Sequence, residues 1–163
     1  MSTGAMTELP IYHAKIDPQW IDYNGHLRDA YYGLVASYAI DDLMDFLGLD
    51  AAYRARTQCT LYSLELHLHF LHEVKSTDDL RVESWILDFD RKRIHVGCRF
   101  MCSRVIDPVA TTDMMLLHVH QGDKPGSAPF PAVVLAKLEG LQVSVAAREA
   151  FAPSSRKIEL KRR

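Results

Sequence analysis

What this chain lacks sets its first limits. No apolar run approaches the length that crosses a bilayer, and no charged-then-apolar leader opens the sequence. A soluble, cytoplasmic protein without a membrane partner is therefore expected. Charge of one sign is not in excess: 19 Lys and Arg stand against 21 Asp and Glu, a formal net charge of −2. That balance offers no basic field for a nucleic-acid partner. Cysteine is scarce, and Cys59, Cys98 and Cys102 are odd in number with no Cys-x-x-Cys spacing. They read as buried free thiols in a reducing compartment. There is no internal repeat and no Gly-rich dinucleotide fingerprint, so no cofactor is expected.

What remains is an ordinary globular composition, 48% apolar and 25% charged over 163 residues, enough for one domain with a real core. Residues 1–9 read as a disordered lead-in, with Met6 as an alternative start. Ile11 to Ile16 can form a short strand, stopped by Asp17-Pro18. A helix is expected from Asp29 to Leu47, where Tyr32, Val35, Ala36, Ala39, Leu43, Phe46 and Leu47 recur at helical spacing. Gly48 is placed to end it. Further apolar residues broaden its surface beyond one stripe, so it should be wrapped by other elements. Gly33 weakens the helix but permits close approach of another backbone.

Strands follow. From Leu61 to His72, Tyr62, Leu64, Leu66, Leu68 and Phe70 alternate with Ser63, Glu65, His67 and His69, predicting a half-buried strand. Leu80 to Phe89 gives another. Ile94, Val96, Cys98, Phe100 and Cys102 mark a third, and Asp107-Pro108 breaks the chain before a last one from about Ala110 to His120. Short links imply antiparallel hairpins. Gly122 to Pro131 reads as a linker, and Val134, Leu138, Leu141 and Val145 predict a second, amphipathic helix before a solvated basic tail. The order of elements predicts an α+β fold, one curved antiparallel sheet around a long central helix.

The chemistry-bearing stretch is Asp22-Tyr23-Asn24-Gly25-His26, just before the long helix. A carboxylate delivered to a helix N-terminus, where N–H groups are unpaired, suits reaction at a carbonyl. Asp22 is the candidate nucleophile or general base. Backbone N–H groups near Gly25, His26 and the first helical turn are candidates for the oxyanion. Asn24 is a candidate for positioning water or the carbonyl. His26 reads either as a loop-orienting residue or as a satisfied structural histidine. The plainer reading of the whole stretch is a turn, with Gly25 supplying positive φ. Glu65 is a second candidate carboxylate, or else a partner for His67, His69 or Arg99 at a subunit contact. The spacing of His67, His69 and Glu73 imitates a cupin metal site, but its flanking glycines are absent (Leu61 and Leu80 stand there), and no metal is assigned.

These segments resemble a known family. An acid, two residues and Gly-His, then an aromatic early in the helix, is the pattern of hot dog fold thioesterases of the 4-hydroxybenzoyl-CoA thioesterase type; here it is Asp22, Gly25, His26 and Tyr31. Leu80-Arg81-Val82-Glu83 after an Asp-rich turn also fits that pattern. The chain is similar in particular to the branch associated with carnitine catabolism, at Asp22–His26, Glu65-Leu66-His67, Lys92-Arg93-Ile94-His95 and Met115-Leu116-Leu117-His118-Val119. The resemblance covers about residues 10–121, leaving 122–163 as a C-terminal linker and helix. It implies a thioesterase that hydrolyses a short acyl-CoA, betainyl-CoA in that branch. One curved sheet leaves edge strands open, which predicts a homo-oligomer, a dimer whose two sheets join or a tetramer built from dimers. Trp20, Tyr23, Tyr31, Tyr32 and Trp85 are the rings available to a trimethylammonium group. Arg91, Lys92 and Arg93 read as a solvated turn or as cations for the CoA phosphates. The alternatives are a hot dog protein that binds acyl-CoA or another small ligand without turnover, a thioesterase for an aromatic or short-chain acyl group, and a dehydratase of the same fold.

Overall fold

The computed structural model describes residues 9–151, so the expected lead-in, save Leu9, and the basic tail from Pro153 lie outside the described residues. The first strand, β1 (Tyr12–Ala14), is followed by a single 3-10 turn at Pro18–Trp20 and then by α1 (Asp29–Leu47). α1 carries Asp29 in its first turn, where negative charge suits the helix dipole. It ends at Gly48, whose φ of 86° lets its N–H and that of Leu49 return to Asp45 O and Met44 O. Tyr32, Val35, Ala36, Ala39, Ile40, Leu43, Met44 and Leu47 are buried, while Tyr38, Asp41, Asp42 and Asp45 face solvent. The curved sheet thus wraps the buried side of the helix, and the opposite side faces solvent. Gly33 meets the Leu66 side chain at van der Waals distance and no other backbone.

A short α2 (Ala51–Thr57), not expected from the sequence, leads into β2 (Cys59–Phe70), β3 (Leu80–Phe89), β4 (Arg93–Cys102) and β5 (Val105–His120). A two-residue β6 (Gly126–Ser127) precedes α3 (Ala132–Leu141) and α4 (Val145–Phe151). The sheet is antiparallel in the order β1-β3-β4-β5-β2, with β6 added to β5. Ile94, Val96, Cys98, Phe100 and Cys102 all point into the core with α1, as their alternation predicts. All three cysteines are buried and free.

Three expectations change. β5 does not break at Asp107-Pro108: it begins at Val105, and the proline sits where the β4 pairing slips, so no ladder hydrogen bond is lost. β2 carries a bulge between Ser63 and Glu65. Before it Tyr62 stands opposite Leu117 on the outer face; after it Leu66 stands opposite Met114 on the core face. One extra residue has reversed the strand's facing. The expected second helix is two helices, α3 and α4, parted at Gln142–Ser144, with Val145 exposed at the start of α4.

The break between those helices has a purpose in the sheet. β1 covers β3 only at Leu80–Val82, and Gln142-Val143 fills the edge beyond it, with the Val143 N–H donating to Ile86 O at 3.0 Å. The chain thereby crosses from α3, packed beside α1, to the outer face of the sheet. There α4 lays Phe151 against Trp85 and over Gly97, where any Cβ would come within 2.4 Å of the phenyl ring.

Candidate active site

Ile21 and Leu27 pair across a tight turn that holds the reactive loop. The Asp22 N–H donates to His26 O at 2.8 Å and the Gly25 N–H donates to Asp22 O at 3.0 Å. Gly25 has φ of 79°, which a side chain would resist. Asp22 Oδ1 accepts from the Asn24 N–H at 2.8 Å and the His26 N–H at 3.2 Å. The His26 hydrogen bond is the main cause holding the Asp22 pKa below its ordinary value, aided by Asn24 and opposed by desolvation. Oδ2 has no hydrogen bond among the described residues. The carboxylate is therefore oriented by one oxygen and available at the other.

Other elements fix the loop in place. The Leu27 N–H donates to Val74 O at 2.7 Å, and His26 bridges to Lys75. Trp20 stacks on Tyr31 with ring centres 5.2 Å apart and planes 15° apart. These ties pull the start of α1 against the segment that leaves β2. Between them lies a cleft of about 600 Å³, lined by Asp22, Tyr23, His26, Arg28, Asp29 and Tyr32 on one side and by Phe70, Leu71, His72 and Glu73 on the other. Tyr32 is buried at its base, edge-on to Phe70, and burial pushes its hydroxyl pKa up to about 12, so it stays protonated.

The comparisons with known proteins follow from this arrangement. A family profile described as "Thioesterase-like superfamily" matches residues 16–138, most of the chain. The chain belongs to this superfamily. The betainyl-CoA thioesterase of Pseudomonas aeruginosa strain PAO1 is 46% identical over 133 residues, which cover 82% of this thioesterase and 83% of that protein. The L-carnitine dehydrogenase/betainyl-CoA thioesterase of Rhizobium meliloti strain 1021 is 34% identical over 85% of this chain but only 27% of its own, longer length. A crystal structure of a candidate thioesterase from Pseudomonas putida KT2440 superposes with a TM-score of 0.78 at 39% identity, covering 93% of this chain and 96% of that one. The hot dog fold expected from the reactive loop is the fold observed.

Within this thioesterase the expected site residues separate. Asp22, Tyr23, His26 and Tyr32 line the cleft. Asn24 and Gly25 shape the turn through their backbones, and Trp20 and Tyr31 brace it as a stacked pair. Four groups of expected residues are placed otherwise within one chain. The Gly25 N–H is taken by the Asp22 main-chain carbonyl and the His26 N–H by the Asp22 carboxylate, so neither is offered to an oxyanion. Glu65 lies outside the cleft, on the outer face of β2 opposite Met115, and no ion pair reaches it among the described residues. The acid on that face that does meet histidines is Asp113, with His95 Nε2 at 3.2 Å and His67 Nδ1 at 3.8 Å. Trp85 also lies on the outer face, with Phe151 beside it and the Arg99 guanidinium 5.0 Å above its ring.

Arg91, Lys92 and Arg93 sit at the β3–β4 turn, and strand register puts that turn at the other end of the sheet. The cleft lies at the Leu80–Phe100–Ala110–Phe70 end, whereas Phe89, Ile94 and Leu116 mark the far end. Arg93 is held by Asp90, and Lys92 Nζ donates to Ser127 Oγ at 3.0 Å. The cleft residues that sequence reading missed as site residues are Arg28, Asp29 and the run Phe70 to Glu73. Their signal was weak: the run ends an alternating strand, and only its tie to the loop through Val74 gives it a place.

A reaction that needs ionised Asp22 carries a pH signature. Its depressed pKa keeps it charged at and above about pH 4, the ordinary aspartate value, and the charge is lost only as pH falls through the lower folded value. The acid limb of kcat/KM is expected below about pH 4, measured in pH jumps too brief for unfolding. A limb centred near neutrality would assign the essential group elsewhere.

Proposed function

We propose that this thioesterase hydrolyses betainyl-CoA to betaine and CoA, working as a homodimer in the cytoplasm. The observation that carries the reading is Asp22: a carboxylate pinned through Oδ1, with Oδ2 available, at the mouth of a cleft that also holds aromatic rings and further acids. The thiolate of CoA leaves readily, so the chain must supply a nucleophile or base and charge for the carbonyl oxygen. Asp22 Oδ2 fills the first role, by attack on the carbonyl carbon or by taking a proton from water. Arg28, a cation of the cleft with no ion pair among the described residues, supplies the second. The 46% identity to a betainyl-CoA thioesterase supports this acyl group.

Assembly completes the site in this proposal. β2 is a sheet edge, and Tyr62, Leu64, Leu66 and Phe70 on it are 48, 53, 39 and 53% exposed. A long, apolar, unpaired edge invites pairing with a second copy. Antiparallel pairing about a two-fold axis turns the second copy end for end. Its Arg91–Arg93 turn then approaches this chain's Asp22 cleft, where the CoA phosphates need cations.

Thiol release from a panel of acyl-CoAs tests the reading. Betainyl-CoA is expected to have a higher kcat/KM than acetyl-, butyryl- or benzoyl-CoA, and than 3,3-dimethylbutyryl-CoA, its uncharged counterpart of equal shape. Equal rates on that last pair defeat the betainyl assignment and leave the family assignment standing. No release from any of them favours the ligand-binding alternative.

A further inference from the structure

The cleft has a residue that the reaction does not use. Glu73 lines it directly after Phe70, Leu71 and His72, across from the reactive loop. Its backbone is fixed from two directions: Glu73 O accepts from Arg104 Nη2 at 2.6 Å, and the next residue, buried Val74, accepts the Leu27 N–H at 2.7 Å. Its carboxylate, by contrast, makes no hydrogen bond or ion pair among the described residues. The nearby Arg104 guanidinium feels the Glu73 charge but makes its ion pair with Asp78, through Nε at 3.0 Å and Nη2 at 2.9 Å. The side chain is near enough to Tyr32 to act electrostatically on its hydroxyl.

The other acids of the cleft are committed differently. Asp22 is the reacting group, and Asp29 Oδ1 accepts the Ala30 N–H at 2.9 Å at the start of α1. With Asp22, Asp29 and Glu73 set against Arg28, the lining carries an excess of negative charge beside the Tyr32 and Phe70 rings. A quaternary ammonium donates no hydrogen bond, so rings and a carboxylate without an ion pair of its own are what can recognise it. In a betainyl thioester the ammonium is one methylene from the carbonyl carbon, so whatever reads it must share a cleft with the reacting carboxylate.

We propose that Glu73, together with the Phe70 and Tyr32 rings, is the part of the cleft that selects a cationic acyl group. This rests on the betainyl-CoA reading above. The test is Glu73→Gln, which keeps the shape and removes the charge. The backbone carbonyl that holds Arg104 is untouched, so the fold should persist. Betainyl-CoA and 3,3-dimethylbutyryl-CoA are compared on wild type and variant. The variant is expected to lose about ten-fold in kcat/KM on betainyl-CoA. Its rate on the uncharged thioester should stay within about two-fold, with Glu73→Asp recovering part of the preference. Equal losses on both thioesters, or none on either, overturn the selective role of Glu73 while the wild-type preference still supports the substrate. A wild type without preference removes the substrate reading and this proposal together.

Discussion

Replacing Asp22 by Asn is expected to leave a folded protein and lower kcat by about 10²–10⁴-fold. The structure says why the fold survives. Asp22 Oδ1 accepts two N–H groups, from Asn24 and His26, and an amide oxygen in the same position accepts them equally. What disappears is the second carboxylate oxygen, replaced by an NH2 that neither attacks a carbonyl nor takes a proton from water. KM should change less than kcat, since the turn and the cleft lining are unchanged. Asp22→Ala separates the two duties, because it removes both the acceptor and the nucleophile and should lower thermal stability as well. Near wild-type turnover by the Asn variant, with its fold verified by circular dichroism, reduces Asp22 to a turn residue.

The second large effect concerns the open strand. Leu64→Lys is expected to give particles with the mass of one chain, and to lower turnover by more than about ten-fold without unfolding the protein. Leu64 is 53% exposed and stands at the bulge near the middle of β2, so a lysine there removes little core packing. Across a two-fold axis it meets its own copy, and like charges close together on paired strands oppose pairing. The loss of turnover follows from geometry: the Arg91–Arg93 turn and the cleft occupy opposite ends of one sheet, so a single chain offers the CoA phosphates none of those cations. Light scattering and the thiol-release assay, run on the same samples, check both halves. A variant that keeps its dimeric mass, or a monomer that remains fully active, refutes this assembly.

Much of the fold was legible from periodicity. α1 and the buried face of β4 appear where Tyr32 to Leu47 and Ile94 to Cys102 placed them, because each pattern runs long enough to be unambiguous. The bulge in β2 was not, since Tyr62, Leu64 and Leu66 keep an unbroken apolar alternation while the backbone switches their facing between the first and the last. The α3–α4 break was hidden for a related reason: Val134, Leu138, Leu141 and Val145 are helically spaced, yet the sheet edge at Ile86 claims the residues before Val145. Of the site, the loop half was legible because Asp22, Gly25 and His26 form a local motif. The opposite half, Phe70 to Glu73, is brought to it by the Leu27–Val74 hydrogen bond, and no local pattern announces a contact so distant along the chain.

The two edges of the sheet are unequal, and this sets a limit on growth by the strand pairing proposed above. One edge is the 12-residue β2; the other is the 3-residue β1, which lies between Pro10 and Pro18 and gives way to Gln142-Val143 along the rest of β3. Proline offers no N–H to an arriving strand, and three residues give it little to grip. A β2-to-β2 junction uses the same edge of both copies and leaves only the short, proline-flanked edges outward. In the proposed dimer, growth by strand addition therefore stops at two copies, and the exposed leucines of β2 are covered and do not seed a fibre.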